Sequence, residues 1–341
     1  MAIYRSSCIR ATALLHALEH DAATPMHRRL APSAGDLVLV RVRGSHGAYL
    51  EMETPDGRDV PLREGDILTA VFGNRDSSRN VSGHIPESCG PGDALGLLAV
   101  GGVVGIPDHV PRGLGEALQL EVVGFPSLAA GAPVNIRAFQ HFTPVQDEGP
   151  VRGIVWVAGT AAECGKTTLI CELLKHIHQR SPGLRLAAIK VCGTGRLKDR
   201  RRYSEAGADL AADFVDAGFA TTYQLPEGKY EALLAELCGA ALRVSDVVLA
   251  EIGGDLLSAE AGVALEVAAA NGDNVIGCVN DPVGALGVIE ILAAQGCRLL
   301  ALAALDLNAS STSRRIGSSV LDIRDPVSIS SLAGRILSSS R

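Results

Sequence analysis

The sequence predicts an α/β fold: a doubly wound, mostly parallel sheet carrying a phosphate-binding loop (P-loop), preceded by a small mainly-β domain. Three observations predict it. After Pro150, near-continuous apolar runs alternate with stretches of helical period, as strands buried on both faces and wrapped by helices do. From Asp36 onward, shorter alternating runs are separated by turn residues, which is the pattern of antiparallel strands. Between the two, an apolar run (Ile154 to Ala158) meets a Gly-rich turn, and Gly165-Lys166-Thr167-Thr168 then opens an amphipathic stretch.

Residues 1–34 read as a helix (Ser7 to His20) followed by a linker around Pro25 and Pro32. Residues 35–148 read as a small β-barrel or sandwich. Its strands are expected at 37–43, 48–53, 60–62, 67–72, 97–104 and 118–123, with turns such as Pro55-Asp56-Gly57, Glu64-Gly65-Asp66 and Pro91-Gly92-Asp93 between them. Residues 149–341 read as the α/β domain. Strands are expected at 153–158, 186–191, 246–251, 274–278 and 299–305, and helices at 169–178, 230–242, 260–270 and 283–295. Right-handed crossovers would bring the strands' C-terminal ends to one side, where ligands bind.

At 341 residues, 47% hydrophobic and 20% charged, the chain has apolar material for a full core. Aromatic residues make up only 4%, so Ala, Val, Leu and Ile must fill that core. The formal charge of −7 argues against broad nucleic-acid binding. The one basic run, Arg196 to Arg202, reads as a solvated helix face or as a clamp for a phosphorylated ligand. No run reaches the roughly 18 apolar residues of a membrane span, and His16, Glu19 and His20 spoil the N-terminal apolar patch as a secretory signal. The eight cysteines form no C-x-x-C pair, which fits a reducing cytoplasm. The sequence leaves the oligomeric state open, a homodimer being one reading.

The loop names a chemistry. Inward-pointing backbone N–H groups and the positive end of a helix cradle a phosphate. Lys166 would reach the terminal phosphates and the Thr167 hydroxyl would hold Mg²⁺. A generic P-loop has Gly where this chain has Thr160; Gly159 stands one residue early. Gly159, Thr160, Glu163, Cys164, Gly165, Lys166, Thr167 and Thr168 are the expected nucleotide contacts, with Asn308 either reading a base edge or capping a turn. Cys164 sits where a helix N-terminus would stabilise a thiolate, and also reads as packing.

Other strand ends supply the rest. Lys190 closes a buried strand beside Gly193-Thr194-Gly195 and could place a positive charge over a phosphate or a developing anion. Glu251 ends the apolar strand Val247–Ala250 and is the expected Mg²⁺-side carboxylate, since Mg²⁺ takes oxygen ligands. Asp255 is the second, with a helix N-cap as its other reading; Asp209 and Glu205 are further candidates for the same ion, and both read more as a solvated helix face. In the β region, Gly73-Asn74-Arg75 with His84 and Glu87 reads as turn chemistry or as a substrate contact.

These segments resemble two families. Gly159-Thr160-Ala161-Ala162-Glu163-Cys164-Gly165-Lys166-Thr167 is similar to the Gly-Thr-Asp-Thr-Glu-Val-Gly-Lys-Thr loop of dethiobiotin synthetases, with the same five-residue gap between glycines. Lys190 with Gly195 matches that family's catalytic Lys-Pro-Val-x-x-Gly, and Glu251-Ile252-Gly253-Gly254 loosely matches its metal-binding Glu. Ala161 replaces the loop Asp. Residues 150–310 also resemble a bacterial P-loop group that includes a D-glutamate N-acetyltransferase, through Gly193-Thr194-Gly195 and Ala212-Asp213-Phe214-Val215. The N-terminal β region matches neither.

The first resemblance implies an ATP- and Mg²⁺-dependent ligase that phosphorylates a small carboxylate or carbamate for attack by an amine, with Lys166 and Lys190 catalytic. The second implies an N-acyltransferase using acyl-CoA on an amino acid. A nucleotide-binding accessory or switch protein is the third reading. An amino acid or other small carboxylate is the expected substrate class; Arg75, Arg196 and Arg202 are available to bind it.

Overall fold

The computed structural model describes residues 8–10, 24–127, 132–140, 153–226 and 228–339. The chain divides into two compact units. One comprises Met1–Thr143 with Thr194–Lys198 and Phe214–Pro226; the other comprises Pro144–Gly193, Asp199–Asp213 and Glu227–Arg341.

The first unit is built on strands β1 (Cys8–Arg10), β2 (Thr24–Met26), β3 (Leu37–Val42), β4 (Glu51–Glu53), β5 (Asp59–Pro61), β6 (Ile67–Phe72), β7 (Ser82–His84), β8 (Ala94–Ala99), β9 (Val103–His109) and β10 (Gln119–Ser127). β6, β3, β10, β8 and β9 pair in that order, and a parallel pairing of β6 with β9 closes the ring. Closure leaves no open edge in the ring, and its interior is filled by Val38, Val40, Leu68, Leu97, Leu120 and Phe125.

Two expectations change here. Cys8–Arg10 form a strand pairing with β6, where a helix over Ser7 to His20 is expected; the rest of that stretch lies outside the described residues. The single strand expected at 97–104 is a hairpin, β8 turning into β9 at Val100-Gly101-Gly102, with the Gly102 N–H bonded to Ala99 O at 2.9 Å. An apolar run that crosses a Gly-Gly turn looks continuous to a hydropathy reading.

The second unit is a seven-stranded parallel sheet in the order β13 (Leu210–Asp213), β12 (Leu186–Lys190), β14 (Val247–Glu251), β11 (Ile154–Gly159), β15 (Asn274–Cys278), β16 (Arg298–Ala304) and β17 (Val320–Asp322). The helices are α1 (Lys166–Arg180), α2 (Leu197–Glu205), α3 (Lys229–Val244), α4 (Ala259–Asn271), α5 (Pro282–Ala294), α6 (Ala309–Ile316) and α7 (Pro326–Ser339). β11 is buried along its whole length. Its Val155 and Val157 face α1 and α7, where Leu169, Leu173, Ile177, Leu332 and Ile336 form the core. Trp156, between those two valines, points to the other face, and its indole N–H reaches Asp273 at 3.0 Å. This is a P-loop α/β fold: the loop follows the middle strand of a doubly wound parallel sheet. No helix among the described residues is long and apolar enough to cross a membrane.

Candidate nucleotide-binding site

The loop between β11 and α1 is shaped by two glycines. A side chain on Gly159 would put its Cβ 2.2 Å from Cys164 Sγ, and Gly165, at φ 100°, holds a left-handed backbone as the residue capping α1. Gly165 offers no side chain to cap the helix, so the first-turn N–H groups of α1 have no side-chain partner there and point at the loop. Lys166 is buried; its ammonium donates to Ala161 O at 2.8 Å and Gly254 O at 2.7 Å, both backbone carbonyls at the rim of the loop. Thr160 lies in the loop with its N–H on Cys278 O at 3.0 Å, while its buried hydroxyl has no hydrogen-bond partner. Glu163 is exposed and holds a positive φ of 64°.

Strand register gathers the charged groups. Lys190 is the parallel partner of Glu251 on β14 and of Asp213 on β13, and Glu251 is the partner of Val157 on β11. Parallel register partners share a face, and this is the face α1 covers. The buried Glu251 carboxylate accepts the Thr167 hydroxyl at 2.8 Å and also the Tyr203 hydroxyl. Lys190 is ion-paired with Asp199 at 2.5 Å, and Thr167 Oγ1 lies 3.4 Å from the other Asp199 oxygen. Burial pulls the Lys190 ammonium down, but Asp199, Glu251 and Asp213 outweigh it and hold it well above the ordinary lysine range. Burial likewise pushes Asp199 up, and Lys190 more than reverses that, leaving it below its usual value. Burial and the Glu251 charge drive the Tyr203 hydroxyl well above its ordinary range, so it stays a donor.

Thus Lys166, Thr167, Lys190 and Glu251 converge, and the structure adds Asp199 and Tyr203. Both lie on α2 with Arg202, whose guanidinium donates to Thr168 Oγ1 at 3.0 Å. Positions 199, 202 and 203 are spaced i, i+3, i+4, so one helix face carries all three. The basic run is therefore a helix with one engaged face, and that spacing is the sequence signal that points to Asp199 and Tyr203.

The structure does not bring the remaining candidates into the cluster. Asp209 is exposed at the start of β13, the opposite end of the sheet from the loop, where its carboxylate accepts the Leu186 N–H at 2.7 Å. Asp255 accepts the Leu257 N–H at 3.0 Å, closing a turn, and Ser258 is the residue that caps α4. Asn308 caps α6 through Ser311 N–H at 2.8 Å. In the first unit, Asn74 accepts the Ile85 N–H at 2.8 Å, Arg75 donates to the Tyr49 hydroxyl and to Leu98 O, and His84 Nδ1 lies 2.8 Å from Asp108.

No group of three or more His, Cys, Asp or Glu side chains able to hold a metal occurs among the described residues. Two carboxylates and a hydroxyl do meet, at Glu251, Asp199 and Thr167. That all-oxygen set fits Mg²⁺, which keeps several waters and phosphate oxygens in its shell.

No family model and no curated protein matches the chain. Among solved structures it is similar to the signal recognition particle receptor FtsY from Elizabethkingia anophelis, at 14% identity over 60% of this chain and 76% of that one, with a TM-score of 0.34. The cell division protein FtsY from Thermotoga maritima is similar at 14% identity over 58% and 74%, with a TM-score of 0.34. The kinase domain of the Escherichia coli tyrosine kinase ETK is similar at 13% identity over 52% and 69%, with a TM-score of 0.32.

Proposed function

We propose that this protein binds a nucleoside triphosphate with Mg²⁺ at the β11–α1 loop, and that it is an ATP-dependent ligase activating a small carboxylate or carbamate for attack by an amine. The observation that carries the reading is the convergence of two lysines, a hydroxyl and two carboxylates at the ends of three adjacent strands. A phosphate-binding loop alone needs Lys166 and Thr167. A second, half-buried strand-end lysine in register with the metal-side carboxylate supports transfer chemistry, as the resemblance to dethiobiotin synthetases implies.

Each residue has a physical task. The loop N–H groups and the start of α1 bind phosphate oxygens, and Lys166 exchanges its two carbonyl partners for them. Thr167, Glu251 and Asp199 would hold Mg²⁺, which neutralises charge on the phosphates when bound. Tyr203 fixes the Glu251 carboxylate by donating to it. Lys190 remains a cation and sits where it can stabilise the charge of the acceptor oxygen, a stabilisation strengthened in a water-poor site.

Lys166→Ala is expected to abolish ATP turnover while leaving the circular dichroism spectrum unchanged; unchanged turnover would overturn the assignment. A thermal-shift comparison of ATP·Mg²⁺, GTP·Mg²⁺ and acetyl-CoA identifies the ligand, because only a species that binds the native state raises the melting temperature. Stabilisation by acetyl-CoA alone would replace the ligase with an acyltransferase.

A further inference from the structure

We propose that Cys164 and Cys278 are a peroxide-responsive thiol pair, and that their disulfide closes the P-loop to phosphate. The inference rests on the phosphate-binding reading of the loop, and it concerns two side chains that reading does not use.

Cys164 immediately precedes Gly165, and its sulfur fills the space over Gly159 where a Cβ would stand. Cys278 ends β15 next to the same glycine: its Cβ would be 3.3 Å, and its carbonyl 3.0 Å, from a Gly159 Cβ. Both thiols are free and buried. Lys166 Nζ lies 3.7 Å from Cys164 Sγ. The hydrogen bond between the two thiols, opposed by burial and assisted by Lys166, lowers the Cys164 thiol, while that same bond and burial raise the Cys278 thiol. Burial instead pushes Cys89 and Cys171 up to about 11 and Cys192 and Cys238 up to about 12, so these thiols have less thiolate character than Cys164.

The chemistry balances with hydrogen peroxide as oxidant. The Cys164 thiolate attacks the peroxide oxygen, the O–O bond breaks, and a proton completes the departing water, leaving a sulfenic acid at Cys164. Cys278 sulfur then attacks Cys164 sulfur; the S–O bond breaks and the Cys278 proton leaves with the hydroxyl as a second water. The two thiols lose two electrons and the peroxide gains them. The new bond ties the loop to the end of β15, which already holds Thr160 through Cys278 O. A tied loop cannot turn its N–H groups around a phosphate, and binding weakens by the fraction of molecules left competent.

The test treats the reduced full-length protein with hydrogen peroxide. Peptide mapping is expected to yield a linked pair containing Cys164 and Cys278, two hydrogens lighter than the free peptides. Amide exchange across 159–168 is expected to slow, and affinity for ATP·Mg²⁺ to fall about tenfold or more, as it does when under about a tenth of the molecules stay competent. Dithiothreitol should restore both. In Cys278→Ala the link cannot form, and dimedone should trap the sulfenic acid at Cys164. Oxidation of other cysteines ahead of this pair, or a linked protein whose loop exchanges and binds as the reduced one does, would overturn the proposal. If the reduced protein binds no nucleotide, the ligase reading fails, while the linkage and exchange measurements still decide the thiol pair.

Discussion

Gly159 shows how tightly a single position can be specified. Its missing side chain is the space that Cys164 sulfur occupies, at 2.2 Å from an imagined Cβ, with Cys278 O behind it at 3.0 Å. Gly159→Ala is therefore expected to destabilise the protein by about 1–3 kcal/mol through overpacking. Adding Cys164→Ala removes the closer of the two obstacles, so the double variant should recover part of that loss in a denaturant titration. Additive effects would mean the two side chains do not compete for the space. The same scale explains which acids serve the site. Glu251, Asp199, Asp209 and Asp255 are chemically alike, but Asp209 and Asp255 are spent on backbone N–H groups of local turns and strand ends, whereas Glu251 and Asp199 share the Thr167 hydroxyl.

At the scale of elements, β11, β12, β14, β15 and β16 were legible because each is a short, mainly apolar run bounded by turns. The helices α3, α4 and α5 were legible from their period to within two residues. α1 begins at Lys166, three residues before its apolar stripe, because its first turn is polar and points at the loop rather than the core. β13 is four residues long and α2 largely polar, so neither carries a periodic signal strong enough to be read. Strand starts carry their own ties. Asp246, just ahead of β14, accepts the Arg185 N–H at 2.9 Å and the Arg185 guanidinium at 2.9 Å and 3.2 Å, fixing the start of β12 beside it. Those bonds bring the Asp246 carboxyl down to about 2 from 3.8. A carboxyl lowered in the folded state contributes stability that is complete above its unfolded value and is lost as pH falls through the folded one. The melting-temperature gap between wild type and Asp246→Asn should therefore hold steady from about pH 7 to about pH 5 and close toward about pH 2. A gap independent of pH would show the carboxylate charge to be irrelevant.

At the scale of the whole molecule, the first unit is discontinuous in sequence. Ala220 belongs to its core cluster, Phe219 lies under the Arg137 guanidinium at 4.3 Å, and the Thr221 hydroxyl donates to Asn74 O at 2.9 Å. A fragment ending at Thr143 lacks all three contacts, so it should melt at a lower temperature than the same unit in the full chain, read by the loss of strand circular dichroism. An equal melting temperature would show that Phe214–Pro226 contributes nothing to the barrel. The sequence by itself determined the doubly wound parallel sheet, the loop with Gly159, Gly165 and Lys166, and Lys190 and Glu251 at strand ends. These follow from contiguous residues, because a phosphate loop is a local backbone shape and a buried strand is a local apolar run. Only the tertiary structure decided that Asp199 and Tyr203, and not Asp209, stand beside Glu251, that β6 closes on β9, and that Cys164 meets Cys278. Each of these joins residues far apart in the chain, and strand order and register, which set which ends and faces coincide, are fixed by packing rather than by any local pattern.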